Sequence, residues 1–320
     1  MTFLSYKQAK NNPCENCTAG CCTYLPLKDI LITNIMVLDH LYYLLHFEGI
    51  ELLLVDGNIW RVHYSNKCTF LTESNLCSLH NTPEKPNICK TYNPYNCFYK
   101  PAFDKTEAPN YVRINLERLE FISNYMEFDD DRNIAKLPDI SEIFHLLPPY
   151  QKKSLPNKAT FPEQKDVEHN LTVERVKQPC SNCESYCCNT LYFEMEAPRH
   201  ISNLDYFRFC TGYPNVFVTL HEGQWYVTIK STCKNYDPSS EFRCKVFGKD
   251  ERPIHCSMYD EMKCEYIKRF VPSATSPNVV LQNKHIATLE KMCTYDSLGN
   301  ITYLPDAYSL QSLSQQNEYS

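Results

Sequence analysis

The chain has 320 residues, 43% apolar and 22% charged, with 18 cysteines and a formal charge of −6. The length suits about two domains, and the negative balance argues against nucleic-acid binding driven by phosphate neutralisation. Seven glycines, where average usage gives roughly 22, weigh against a glycine-rich phosphate cradle, and no G-x-G-x-x-G or P-loop string occurs.

The first residues, MTFLSYKQAKNNPCEN, are too polar for a signal peptide, and no apolar run is long enough for a membrane span. The expected location is the cytoplasm, with no membrane partner and no nucleic-acid partner. In that reducing setting, cysteines persist as metal ligands or reactive thiols rather than as disulfides.

Cys14-Glu-Asn-Cys17-Thr-Ala-Gly-Cys21-Cys22 opens the pattern and returns as Cys180-Ser-Asn-Cys183-Glu-Ser-Tyr-Cys187-Cys188. Both 180 − 14 and 188 − 22 give 166. Cys68 and Cys77 are answered by Cys233 and Cys244, and Cys89 and Cys97 by Cys256 and Cys264. Sixteen cysteines thus fall into two matched sets of eight, with Cys210 and Cys293 outside them. An internal duplication of a cysteine cluster follows.

Along the first copy, Ile35, Leu38, Leu41, Tyr42 and Leu45 recur at helical steps, with Gly49 as the stop. Glu51–Val55, Asp56-Gly57-Asn58 and Ile59–Tyr64 read as a β-hairpin. The second copy repeats the plan: Leu204-Asp205 matches Leu38-Asp39, Gly212 takes the place of Gly49, and Gly223 that of Gly57. Trp60 and Trp225, each eight residues before a cysteine, read as matched core positions. Between the copies, Tyr111–Met126 predicts a strand running into a helix, and Asp139-Ile-Ser-Glu142 a capped short helix. Residues 152–169 read as a linker. Near the end, Asn283–Met292 predicts a helix, followed by a disordered tail.

The expected division is 1–100, a first cysteine-cluster domain; 101–170, a bridging segment; 171–270, a second cluster domain; and 271–320, a helix and tail. The expected class is α+β, with two homologous small domains, each a helix plus a β-hairpin with cysteine-rich metal-binding loops.

Four thiolates close a tetrahedral zinc site or ligate an iron–sulfur cluster. The candidate ligands are Cys14, Cys17, Cys21, Cys22, Cys68, Cys77, Cys89 and Cys97, and their counterparts Cys180, Cys183, Cys187, Cys188, Cys233, Cys244, Cys256 and Cys264. The spacing does not choose zinc over iron, and a disulfide-stapled or redox-active thiol domain is the competing reading. Cys210 and Cys293 read as buried thiols. His80 offers a nitrogen ligand, but its counterpart is Phe247, which favours an aromatic packing position. Lys85-Pro86 and Arg252-Pro253, each three residues before a cysteine, place a cation beside each cluster. Tyr92 and Tyr259 follow those cysteines, as hydrogen-bond donors to sulfur or as packing. Asp39 and Asp205 are matched carboxylates that helix surface or capping accounts for, and no catalytic dyad stands out.

Cys-x2-Cys-x3-Cys-Cys, a distant Cys-x8-Cys, an Arg-Pro-x2-Cys and a following Tyr together resemble the YkgJ-type cysteine-cluster family. The resemblance covers about half the chain, residues 14–97 and 180–264, and implies a zinc- or iron-chelating role. Leu27-Lys-Asp29-Ile30 resembles the segment that opens the family's helix. Lys85 in place of Arg, Phe247 in place of Tyr or His, and a Cys233–Cys244 spacing two residues longer depart from the pattern. A related branch, the flagellin lysine N-methylases, implies an alternative: a protein-modifying enzyme with an iron–sulfur cluster and a protein substrate. The expected partners are therefore metal ions, with a protein partner or protein substrate beside them. Metal storage or transfer is a third reading.

Overall fold

A computed structural model describes residues 19–55, 58–92, 107–151, 185–257 and 279–315, and every structural statement below concerns these. The protein is α+β. Its elements run α1 (Gly20–Thr23), β1 (Tyr24–Leu31), α2 (Ile35–Leu45), β2 (Ile50–Val55), β3 (Ile59–Ser65), α3 (Asn87–Lys90), β4 (Tyr111–Ile114), α4 (Leu116–Ser123), β5 (Glu127–Phe128), β6 (Ile134–Lys136) and α5 (Ile140–Ile143). They continue with α6 (Tyr186–Asn189), β7 (Thr190–Met195), α7 (Ile201–Cys210), β8 (Val216–His221), β9 (Gln224–Lys230), α8 (Ile254–Ser257), β10 (Val279–Leu281), α9 (Asn283–Met292), β11 (Thr294–Tyr295), β12 (Ile301–Tyr303) and α10 (Ala307–Gln315). No helix among the described residues is long and apolar enough to cross a membrane.

Two four-stranded antiparallel sheets share one strand order, β1-β3-β2-β4 and β7-β9-β8-β10. Helix α2 forms where sequence predicts it, opened by the Asn34 side chain, which accepts from Val37 N. Leu38, Leu41, Leu44 and Leu45 turn inward from it. The hairpin of β2 and β3 also stands as predicted, with its Asp56-Gly57 tip outside the described residues. Trp60 and Trp225 are both buried, as expected of core. Trp225 stacks on Phe207 with ring centroids 5.6 Å apart.

Several expectations give way to tertiary pairing. Tyr111–Ile114 is the predicted strand and runs into α4 as predicted, but it joins the first sheet as the edge strand beside β2, and Val279–Leu281 takes the same place beside β8. The sheets therefore extend past residues 100 and 270. Leu27–Ile30 lies inside β1, where pairing with β3 fixes it as strand and not as a helix opening. The expected linker, 152–169, lies outside the described residues. The tail does not fray after Met292: β11 and β12 pair, and α10 buries Leu310 and Leu313. Its last five residues lie outside the described set.

The correspondence of the halves reaches well beyond the cysteines. Asp129 side chain accepts from Asn133 N at 2.8 Å in the β5–β6 turn, and Asp296 from Asn300 N at 2.8 Å in the β11–β12 turn. Each turn then offers a carbonyl to the first N–H of a central helix, Arg132 O to Ile35 N and Gly299 O to Ile201 N. The true partner of Gly49 is Asn215. Both lie one residue before a strand with positive φ, +76° and +65°. Asparagine tolerates that left-handed conformation, so the match is invisible in a comparison of glycines. At Gly49 a Cβ would also stand 2.8 Å from the Tyr64 ring.

The halves do not have fully separate cores. One apolar cluster runs from Leu25, Leu41, Phe47, Trp60 and Tyr64 into Leu191, Phe193, Tyr213, Val216 and Ile229. A second belongs to the latter half, with Leu204, Phe207, Trp225, Ile286, Leu289 and Leu310. Backbone hydrogen bonds stitch the junction: Lys234 N donates to His46 O at 2.8 Å, and Thr69 N to Gly212 O at 2.9 Å.

Candidate metal centre

Each vicinal cysteine pair sits on a single helical turn entered through a left-handed residue, Ala19 (φ 60°) for Cys21-Cys22 and Ser185 (φ 62°) for Cys187-Cys188. The second cysteine of each pair offers its carbonyl to the next cysteine along, Cys68 N to Cys22 O and Cys233 N to Cys188 O, both at 2.7 Å. Cys77 and Cys244 follow on short bridged loops, paired with Leu71 and Tyr236. Cys89 and Cys256 ride on the one-turn helices α3 and α8, just after Pro86 and Pro253. Cys14, Cys17, Cys97, Cys180, Cys183, Cys264 and Tyr259 lie outside the described residues.

The thiols of each set feel one another. Cys22 is pushed far up by a hydrogen bond with Cys21, whose sulfur is 4.0 Å away, and then by burial. Burial pushes Cys68 up to about 12, with Cys22 and Cys77 adding to it. Burial raises Cys89 further, as do Cys22, Cys68 and Cys77, while Lys85 works the other way. In the second set, burial raises Cys256, with Cys187, Cys233 and Cys244 adding and Arg252 opposing. Cys187 thus acts on Cys256 as Cys22 acts on Cys89.

The cations are where Lys85-Pro86 and Arg252-Pro253 predict them. Lys85 is only 4% exposed, and its Nζ lies 3.2 Å from His80 Nδ1. Arg252 stacks over Phe247 at 4.5 Å, and Phe247 over Phe242 at 4.1 Å. His80 and Phe247 therefore share one job: each is a ring that holds the cation beside its cluster.

All twelve cysteines among the described residues are free thiols, and Cys210 and Cys293 are buried, as expected. Among the described residues, no group of three or more His, Cys, Asp or Glu side chains stands close enough to hold a metal ion. The donor chemistry nonetheless suits zinc or iron: soft sulfur, with a cation near each set that offsets thiolate charge. Cys22, Cys68, Cys77 and Cys89 would hold the first metal, and Cys187, Cys233, Cys244 and Cys256 the second.

The matched carboxylates do not cap their own helices, which Asn34 and His200 open; they cap turns of the opposite half. Asp205 accepts from Asn87 N at 2.6 Å and Ile88 N at 2.8 Å, at the head of α3. Asp39 accepts from Ile254 N at 2.9 Å and His255 N at 2.6 Å, at the head of α8. Hydroxyls cross in the same way, Tyr213 to Cys21 O at 2.6 Å and Tyr43 to Cys187 O at 3.1 Å. Sequence reading paired Asp39 with Asp205 but left their targets unread, because those lie more than 100 residues away. Beside α8, His40 and His255 approach at 5.3 Å, and Tyr43 and His255 at 4.6 Å. The matched positions Tyr206 and Ile88 carry no such imidazole pair.

A charged network missed by sequence reading covers the first sheet alone. Arg113 pairs with Glu51 at 2.6 Å, and Arg118 with Glu107 at 2.9 and 3.0 Å. Nearby His63, 2% exposed on β3, is held neutral by burial, its pKa lowered to about 3 with Arg61 adding to the effect. The unfolded chain takes up a proton near pH 6.5 and the native state only near 3, so stability falls as pH drops through that window. Urea unfolding of His63→Asn is expected to flatten this slope by about one proton, ~1.4 kcal/mol per pH unit between pH 4 and 6. An unchanged slope would show that His63 is not the group responsible.

No protein-family model, curated protein or solved structure matches the chain.

Proposed function

We propose that the chain is a cytoplasmic metal-binding protein of the YkgJ type, built as two copies of one unit, with a cysteine cluster for zinc or iron in each. The reading is carried by one observation: two matched sets of thiols, mutually coupled, each beside a cation held by an aromatic ring. Shared sheet order and shared turns support the duplication.

In this reading Lys85 and Arg252 offset the negative charge that four thiolates collect, in a setting where burial alone disfavours the ionised form. The vicinal turns and the α3 and α8 turns carry cysteines from distant parts of the chain, and metal binding would draw their sulfurs together. Bound zinc would supply folding energy to these loops, and an iron–sulfur cluster would supply electron transfer.

The test is purification without oxygen, followed by metal and sulfide analysis and a visible spectrum. The expected result is at least one metal-bound centre per half. Colourless protein with stoichiometric zinc assigns a structural or storage role. Brown protein with iron and acid-labile sulfide favours redox or protein-modifying chemistry. Protein free of both metals, with its thiols reduced and intact, would sink the reading.

A further inference from the structure

We propose that Asp39 and Asp205 are positioning residues acting across the halves, so that each cysteine cluster is assembled on the central helix of the other half. The proposal builds on the metal reading for its purpose, but its geometry stands without it. A short helix leaves its first N–H groups without partners. In α3 the capping position is Pro86, which has no side-chain acceptor, and Pro253 precedes α8 in the same way. The missing acceptor arrives from the opposite half in both cases, and each carboxylate takes two N–H groups with its two oxygens. A carboxylate is also the charge that a helix N-terminus favours.

The turns so held are the ones that carry Cys89 and Cys256. Two further contacts cross in the same sense. Tyr213 and Tyr43 donate to the carbonyls of Cys21 and Cys187, which begin the vicinal pairs of the opposite halves. Backbone bonds from Thr69 and Lys234 anchor the residues just after Cys68 and Cys233 to Gly212 and His46. Three points of each cluster thus hang on the opposite half. That pattern explains why one chain carries two copies: neither cluster has its full support within its own half.

Full-length Asp39→Ala and Asp205→Ala are compared with the parent protein by pulsed alkylation, with each cysteine read by mass spectrometry. Labelling is done on protein as isolated and again after metal chelation. Loss of a cap of this kind raises local opening about 5- to 30-fold. Asp39→Ala is expected to speed labelling of Cys256 by that factor and leave Cys89 near its parent rate. Asp205→Ala should do the reverse. Asp39→Asn and Asp205→Asn keep one carbonyl oxygen for one of the two N–H groups, and their labelling should fall between alanine and parent. Faster labelling of the cysteine in the substituted half, or equal labelling of all cysteines in the asparagine variants, would overturn the proposal. Should the alanine variants unfold, the asparagine pair decides by the same crossed pattern. A parent protein without zinc or iron would end the metal reading while leaving the crossed labelling to stand or fall by itself.

Discussion

Glu51→Ala is expected to destabilise the protein by about 3–5 kcal/mol, because it strands a largely buried guanidinium. Arg113 donates to Glu51 at 2.6 Å and to the Tyr150 hydroxyl at 2.9 Å, and lies 4.0 Å over the Tyr150 ring. The two ionic side chains are 14% and 13% exposed. Burial works against the charge on Arg113, but Glu51 and Tyr150 outweigh it and hold the pKa above its usual value. The nearby carboxylate of Glu107 is already bidentate to Arg118. The matched positions on the second sheet are Phe217 and Val280, so the same architecture also forms with apolar residues there. Glu51→Leu with Arg113→Met is accordingly expected to recover most of the loss, since a buried pair is often replaceable by packed apolar groups. Urea unfolding measures both. A single-variant cost under about 1 kcal/mol would show that the pair behaves as a solvated surface pair.

Phe47→Ala is expected to cost a similar 3–5 kcal/mol, the usual range for truncating a buried aromatic. Phe47 has no exposed surface and packs edge-on against Tyr43 at 5.1 Å. Its backbone forms an antiparallel bridge with Cys233 of the other half. The cavity would therefore open at the junction, within the apolar cluster to which both halves contribute. Thermal unfolding of Phe47→Ala should remain one transition, shifted down as a whole. Two separated transitions would mean that the halves fold independently and that the shared core contributes little. Tyr213→Phe is the milder control: it keeps the ring and removes one hydroxyl bond to Cys21 O, for about 1 kcal/mol.

Local pattern carried much of this fold. The apolar steps of Ile35–Leu45, the Asp56-Gly57 turn between two apolar-rich runs and the helix at Asn283–Met292 are short-range signals, and each became the predicted element. The cations beside the clusters were legible for the same reason, since Lys85 and Arg252 lie close in sequence to Cys89 and Cys256. Where local signals were weak, sequence reading stopped early. Val279–Leu281 is three residues long, and only pairing with β8 makes it a strand. The α10 helix has few apolar residues, yet Leu310 and Leu313 find the second core. Gly49 was matched to Gly212 on residue type, whereas backbone conformation matches it to Asn215.

By itself the sequence determined that a cysteine pattern occurs twice, that each copy has a helix and a hairpin, and that a cation accompanies each cluster. Those are properties of neighbouring residues and of self-comparison. Only the tertiary structure decided that the copies share a core and that Asp39 and Asp205 reach the opposite half's cysteine turns. The physical reason is that a carboxylate on a helix has no local mark of its target. Its partner is an N–H orphaned by a proline more than 100 residues away, and folding alone brings the two together.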